Sequence, residues 1–301
     1  PMNSGAEAVE TAIKAARRWG YQVKKIPKDK AEIIVAKENF HGRTISIISF
    51  SSDEDYKKDF GPLTPGFVSV PFGDINALKK AITPNTCAVL FEPIQGESGI
   101  HVPPVGFLKE VRKLCTDNHI LMILDEIQSG LGRTGKLFAY DHENIQPDGL
   151  ILGKALGGGI LPVSCFLAKK EVMALFNPGS HGSTFGGNPL ACAVGKRALE
   201  LMEEEGLVAK SENLGNYLMG LLEGIKSRLV KGLRGRGLWI GMEIDTSKVG
   251  AKKVCEAFMK EGVLTKEAHE RVIRIAPPLV ITKEECDWGV ARIITALEKL
   301  V

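Results

Sequence analysis

The chain has 301 residues, 44% of them hydrophobic and 25% charged, with a formal net charge of +3. That composition belongs to a globular protein long enough for one large core or two modest ones. The charge is small and interspersed, so it offers no basic face for nucleic acid or an anionic membrane. No apolar run approaches the roughly 20 residues of a spanning helix. Six cysteines, Cys87, Cys115, Cys165, Cys192, Cys255 and Cys286, stand singly without a C-x-x-C pair. They read as free thiols in a reducing compartment, the cytoplasm by default with the mitochondrial matrix as the alternative. None of the six histidines falls in H-E-x-x-H spacing, and no metal is expected. The chain opens "PMNSGAEAVE", with Pro rather than Met first, and this opening reads as the edge of a longer polypeptide.

Taken in order, "NSGAEAVETAIKAARRWG" predicts a helix. Ser4 and Glu7 form a capping box, Val9, Ile13 and Ala16 share one face, and Gly20 closes it. "AVLFEP" (88–93) is a buried strand, followed by a helical stripe of Phe107, Leu108, Val111, Leu114 and Cys115. "ILMILDE" (120–126), "GLILGK" (149–154) and "PVSCFLA" (162–168) are further strands. Strand, helix, strand at this spacing implies an α/β fold, a mostly parallel central sheet flanked by helices. After about residue 206 a long helix carries Leu214, Leu218, Leu221, Ile225 and Leu229. "GRGLWIGMEID" and "VIRIAPPLV" then read as strands. A last helix starts at Thr282, capped by Glu285, and is expected to bury Trp288, Ile293 and Leu297. The expected division is a large domain over 1–206 and a smaller α+β domain over 207–301. Glycines gather near 130–135, 153–159 and 182–187, after strands, where open α/β sheets place their ligands.

"GLGRTGK" (130–136) fits both G-x-G-x-x-G and G-x-x-x-x-G-K. Neither nucleotide reading survives its flanks. A P-loop leads from strand to helix, ends in Lys-Ser or Lys-Thr and precedes the Asp-bearing strand. Here Leu137 follows Lys136, and Asp125 comes first. For a dinucleotide loop, Ile127 to Ser129 intervene after the strand, and no amphipathic helix opens at Gly135.

The flanks carry a different chemistry. Asp125 ends a strongly apolar strand, where an ionised carboxylate needs a cation or donor. Lys154 closes another and leads into "ALGGG". Alone, each has an ordinary structural reading, a turn cap and a snorkelling surface lysine. Together they match pyridoxal phosphate, which needs an amine for its aldehyde and a carboxylate for its pyridine nitrogen. Ser4, Gly5 and Ala6 open a helix whose N–H groups and dipole attract a phosphate. Phe40 in "NFHGRT" could stack on the ring.

Six motifs stand in one order: "PMNSGAEAVE", "NFHGRT", "EPIQGESG", "DEIQSGLGRTG", "GKALGGG" and "HGSTFGGNPL". With them the chain resembles the fold-type I, class III aminotransferases from residue 1 to the C-terminus. The resemblance implies Lys154 as the Schiff-base lysine and Asp125 as partner of the pyridine nitrogen. It implies Gln128 on the phenolic oxygen, Phe40 on the ring face, and Ser4, Gly5 and Ala6 around the phosphate. Thr184 would reach the other site of a homodimer. Arg43 and Arg274 would bind substrate carboxylates, with Glu97 pairing Arg274 as a gate. "GVLTKEAHERVIRIAPPLVI" is most similar to members that move the δ-amino group of ornithine to 2-oxoglutarate. Members acting on acetylornithine or 4-aminobutyrate, and a non-catalytic binding relative of the same fold, are the alternatives.

Overall fold

The computed structural model describes residues 1–300. In chain order the elements are α1 (Gly5–Gln22), β1 (Glu32–Ala36), α2 (Ile45–Ile48), β2 (Phe67–Val70), α3 (Ile75–Ala81), β3 (Thr86–Phe91), α4 (Phe107–Asp117) and β4 (Leu121–Asp125). There follow β5 (Gly149–Leu152), β6 (Cys165–Ala168), α5 (Lys170–Met173), α6 (Pro189–Glu204), α7 (Leu207–Glu223), β7 (Val230–Arg236), β8 (Trp239–Ile244), α8 (Ala251–Lys260), β9 (Lys266–Ala268), β10 (Val272–Ile275) and α9 (Lys283–Glu298). Packing divides them into two compact units. The first holds Pro1–Pro93, Pro103–Ser129 and Tyr140–Glu200; the second holds Ile94–Val102, Gly130–Ala139 and the chain from Leu201 onward.

The first unit is built on a six-stranded sheet of order β2-β1-β3-β4-β5-β6. All its pairings are parallel except β5 with β6. β3 and β4 are buried along their whole length, as strands covered on both faces must be. Alternation assigns the faces: Ile33, Val35, Leu90, Leu121 and Ile123 pack with Ala8, Val9, Ala12, Ile13 and Ala16 of α1. Ile34, Val89, Phe91, Met122 and Leu124 pack with Leu78 of α3 and Phe107, Leu108, Val111 and Cys115 of α4. The capping box of α1 is formed, with Glu7 N–H donating to Ser4 Oγ at 3.3 Å and Ser4 N–H donating to Glu7 Oε2 at 2.6 Å.

Gly20 does not close α1, which continues to Gln22. A Cβ at Gly20 would stand 2.7 Å from Cβ of Cys87, so this glycine brings helix and sheet together instead of ending the helix.

The second unit has a four-stranded antiparallel sheet of order β7-β8-β10-β9. Its core joins Ile240, Met242 and Ile273 to Leu218 and Leu222 of α7, Phe258 of α8 and Ile293 and Leu297 of α9. Two helical expectations need correction here. α7 stops at Glu223, so Ile225 and Leu229 lie on the connection into β7. Trp288 is 50% exposed, with the Arg292 guanidinium 5.4 Å from its ring centroid at the surface. "GRGLWIGMEID" is not one strand either, for β7 and β8 pair with Arg236 opposite Trp239 and reverse direction between them. Among the described residues no helix is long and apolar enough to cross a membrane.

Candidate active site

The site in the first unit forms at the carboxyl ends of its strands. β4 and β5 are parallel neighbours with Asp125 in register with Ile151, so their ends emerge about 4.8 Å apart. Asp125 is the last residue of β4 and is 4% exposed. Its Oδ1 accepts from the Ile127 backbone N–H at 3.0 Å, and its Oδ2 lies 2.7 Å from Nδ1 of His41. Each carboxylate oxygen offers two lone pairs, so one further donor can be met at either oxygen. His41 is buried. Burial opposes its charged form, but the hydrogen bond and charge of Asp125, with the charge of Glu92, outweigh it and raise its pKa. Glu92 Oε2 accepts the Phe40 N–H at 3.0 Å.

Lys154 does not close the strand as the sequence suggests. β5 ends at Leu152, Gly153 is extended, and Lys154 opens a 3-10 turn over Lys154–Gly157 with φ 42°. Left-handed backbone is uncommon outside glycine, and strain of this kind gathers at functional positions. The turn lifts the lysine off the sheet edge into an exposed position.

Three more segments border these strand ends. The N-terminus of α1 meets the chain leaving β4: a Cβ at Gly5 would stand 2.8 Å from Cδ1 of Ile127. Ile127 also lies 3.5 Å from the corresponding Cβ position at Gly153. One side chain therefore spaces the helix start from the residue before Lys154. Ser164 Oγ donates to the Ser4 carbonyl at 2.6 Å and fixes that start. The first two helical N–H groups, of Gly5 and Ala6, have no acceptor within the helix, whereas the Ser4 hydroxyl is engaged by the cap. The loop after β1 passes alongside, with the Cβ position of Gly42 3.0 Å from Cβ of Ala6. It brings Phe40 and Arg43, whose guanidinium carbon lies 4.2 Å from the Tyr56 ring centroid and 5.9 Å from that of Phe40. Gln128 is half-buried just beyond Ile127. Thr184 is exposed on a loop whose neighbour Ser183 accepts from Asn3 Nδ2 at 3.2 Å.

The cradle suits pyridoxal phosphate. It has a helix start where a Cβ at Gly5 would press on Ile127, a buried carboxylate with lone pairs to spare, a lysine in the turn just beyond the adjacent strand and an aromatic side chain in the flanking loop. Sequence patterns did not single out His41, Ile127 or Tyr56. The signal for His41 was present inside "NFHGRT", but its burial against Asp125 appears only in the fold.

The remaining two expected residues lie together in the second unit. Arg274, on β10, donates from Nη1 to Glu97 Oε1 at 2.7 Å, with the side chains 16% and 28% exposed. Glu97 sits in a turn closed by the Gln95–His101 bridge. The glycine-rich loop has a structural task in the same unit. Arg133 donates to the carbonyls of Leu238 at 2.9 Å and Pro277 at 2.6 Å, and Lys136 pairs with Glu212 at 2.8 Å. Both cations of "GLGRTGK" are thus committed to protein groups.

Fold and site together define a pyridoxal-phosphate enzyme of fold type I. The chain belongs to the class III aminotransferases, whose family profile matches residues 1–297. It is 60% identical over 293 residues to the ornithine aminotransferase of Geobacillus sp. (strain WCH70), covering 97% of this chain and 73% of that one. The crystal structure of the ornithine aminotransferase from Toxoplasma gondii ME49 superposes with a TM-score of 0.98 at 44% identity, over 99% of this chain and 72% of that one. An acetylornithine aminotransferase from Elizabethkingia anophelis superposes at 0.88 with 47% identity, over 99% and 74%.

Proposed function

We propose that this aminotransferase moves the δ-amino group of ornithine to 2-oxoglutarate, releasing glutamate-5-semialdehyde and glutamate. The observation that carries the choice of amine donor is the 60% identity to an ornithine aminotransferase across nearly the whole chain. Bound at the strand ends, pyridoxal phosphate supplies an electron-withdrawing ring that takes up the charge left when a proton departs from the substrate carbon.

Each side chain then has a task that its surroundings support. Lys154 anchors the cofactor covalently. When not bound to the cofactor, its ε-amine would take up and return a proton at the substrate carbon. Asp125, buried at the end of β4, would pair with the pyridine nitrogen and keep it protonated. Gly5 and Ala6 present their N–H groups to the phosphate at the positive end of α1, with Ser4 fixing that helix start. Phe40 covers a ring face, and Gln128 donates to the phenolic oxygen. Arg43 is held from behind by the Tyr56 ring, which leaves its N–H edges for a carboxylate.

The ion pair of Glu97 and Arg274 supports a selectivity gate. While the pair is closed, Arg274 is masked and a diamine is favoured. When Glu97 leaves it, the guanidinium can take the second carboxylate of 2-oxoglutarate bidentately. Glu97→Ala should therefore lower the preference for ornithine over glutamate as donor by roughly tenfold or more, the worth of one charge-assisted hydrogen bond. Half-reaction rates with each donor measure it, and an unchanged ratio removes the gate.

The chain works as a homodimer in this reading, with Thr184 serving the partner's phosphate. Its loop is bordered by exposed apolar side chains, Phe185 at 71% and Leu190 at 65%, which a second subunit would cover. A cytoplasmic setting accords with six free cysteines; burial pushes the Cys87 and Cys115 thiols up to about 12, leaving them unreactive.

The deciding experiment is a panel of amine donors with 2-oxoglutarate as acceptor. The purified protein should be yellow and should bleach fastest with ornithine. Faster bleaching with acetylornithine or 4-aminobutyrate would reassign the donor. A colourless protein indifferent to every donor would mean a binding relative and not an enzyme.

A further inference from the structure

His41 is 3% exposed and touches the reaction only through Asp125. We propose that His41 is a positioning residue for Asp125: as the Nδ1–H tautomer it holds the carboxylate in place toward the pyridine nitrogen. The inference rests on Asp125 facing that nitrogen.

The tautomer follows from the two ring nitrogens. Nδ1 stands 2.7 Å from Oδ2 of Asp125, while Nε2 is buried with no hydrogen-bond partner among the described residues. A proton on Nε2 would leave a buried donor unmet and set the Nδ1 lone pair against those of a carboxylate. Both effects are unfavourable. With the proton on Nδ1, Asp125 gains a donor and only an acceptor is left unmet. Oδ1 is already fixed by the Ile127 N–H, so the carboxylate is held at both oxygens and its plane cannot turn. The Phe50 ring, 5.8 Å from the imidazole centroid, closes another side. The charged groups acting on His41 are Asp125 and Glu92, both acidic. Both favour the protonated ring at lower pH, and none opposes the Nδ1–H bond.

Three samples test it. In the wild-type apoprotein, NMR should show a slowly exchanging, strongly deshielded imidazole Nδ1–H, absent from Asp125→Ala. His41→Phe keeps a planar ring without a donor, and its kcat should fall roughly ten- to hundredfold, the worth of a hydrogen bond to a charged group, with KM little changed. His41→Asn, whose amide can donate from near the Nδ1 position, should recover most of that loss. Should His41→Phe fail to fold, the asparagine variant and the wild-type spectrum still decide. The proposal is overturned if the wild-type protein lacks that signal. It is equally overturned if His41→Phe keeps the wild-type kcat while Asp125→Ala loses its own. If Asp125→Ala also keeps it, the assignment of Asp125 has failed, and the role of His41 falls with it.

Discussion

Lys154→Ala is expected to abolish transamination and the visible absorption of the bound cofactor together. Two functions leave with one amine. In the proposed arrangement the covalent anchor is lost, so the cofactor would be held by non-covalent contacts alone, those of the α1 start, Asp125, Phe40, Gln128 and Thr184 of the partner subunit. The proton carrier is lost as well, and positioned general acid–base groups contribute about 10²–10⁴-fold. The combined effect should reach the upper end of that range or exceed it. The loss should not come from unfolding, because Lys154 is exposed and the alanine keeps the backbone. Removing a side chain from a φ of 42° leaves the strain of that turn in place. Stopped-flow mixing with ornithine and an absorption spectrum after dialysis check both halves. A variant that keeps turning over would remove the lysine from the mechanism.

Asp125→Ala should be slow rather than dead. Breaking a buried charge pair costs about 3–5 kcal/mol, which at 1.36 kcal/mol per decade corresponds to a loss of about 10²–10⁴-fold. The cofactor should stay bound through Lys154, so the protein remains coloured while the rate falls. A second signature follows from His41. In the wild-type protein the carboxylate of Asp125 raises the imidazole pKa against the opposing effect of burial. A raised folded pKa adds stability that is fully present below the unfolded value near 6.5 and fades as pH climbs through the folded value. Without Asp125 the opposing effect of burial is met only by the charge of Glu92, so the folded pKa falls and protonation on acidification contributes less stability than in the wild type. The Tm gap between wild-type and variant apoprotein should therefore widen as pH falls from about 7 to 5. A gap that narrows or stays constant over that interval would contradict the coupling.

Much of the framework was legible because parallel strands announce themselves. "AVLF" and "LMIL" are apolar without alternation, as strands buried on both faces require, and each lies within β3 or β4. The capping boxes at Ser4 and Thr282 are local, spanning three residues, and both form. Errors came where tertiary contact outweighs local preference. Gly20 looks like a stop signal but serves close packing against Cys87. Trp288 looks like core but stands half-exposed beside Arg292 at the surface. The short connection into β7 continued the apolar rhythm of α7, so periodicity could not show where that helix ends.

Composition and strand hydrophobicity, read from the chain alone, determined an α/β framework, while the ordered motifs, by their resemblance to the class III aminotransferases, pointed to the class of protein and its cofactor. These properties depend on local sequence and on the chemistry a ligand demands. Only the folded chain decided that Lys154 occupies a left-handed turn, that Ile127 spaces the helix start from the residue before it, and that His41 closes on Asp125. It also decided that residues 94–102 and 130–139 pack with the second unit. Such relations join positions up to scores of residues apart, 41 to 125 among them. Their energy comes from burial and hydrogen bonds that exist only after the strands have aligned, so no window along the sequence contains them.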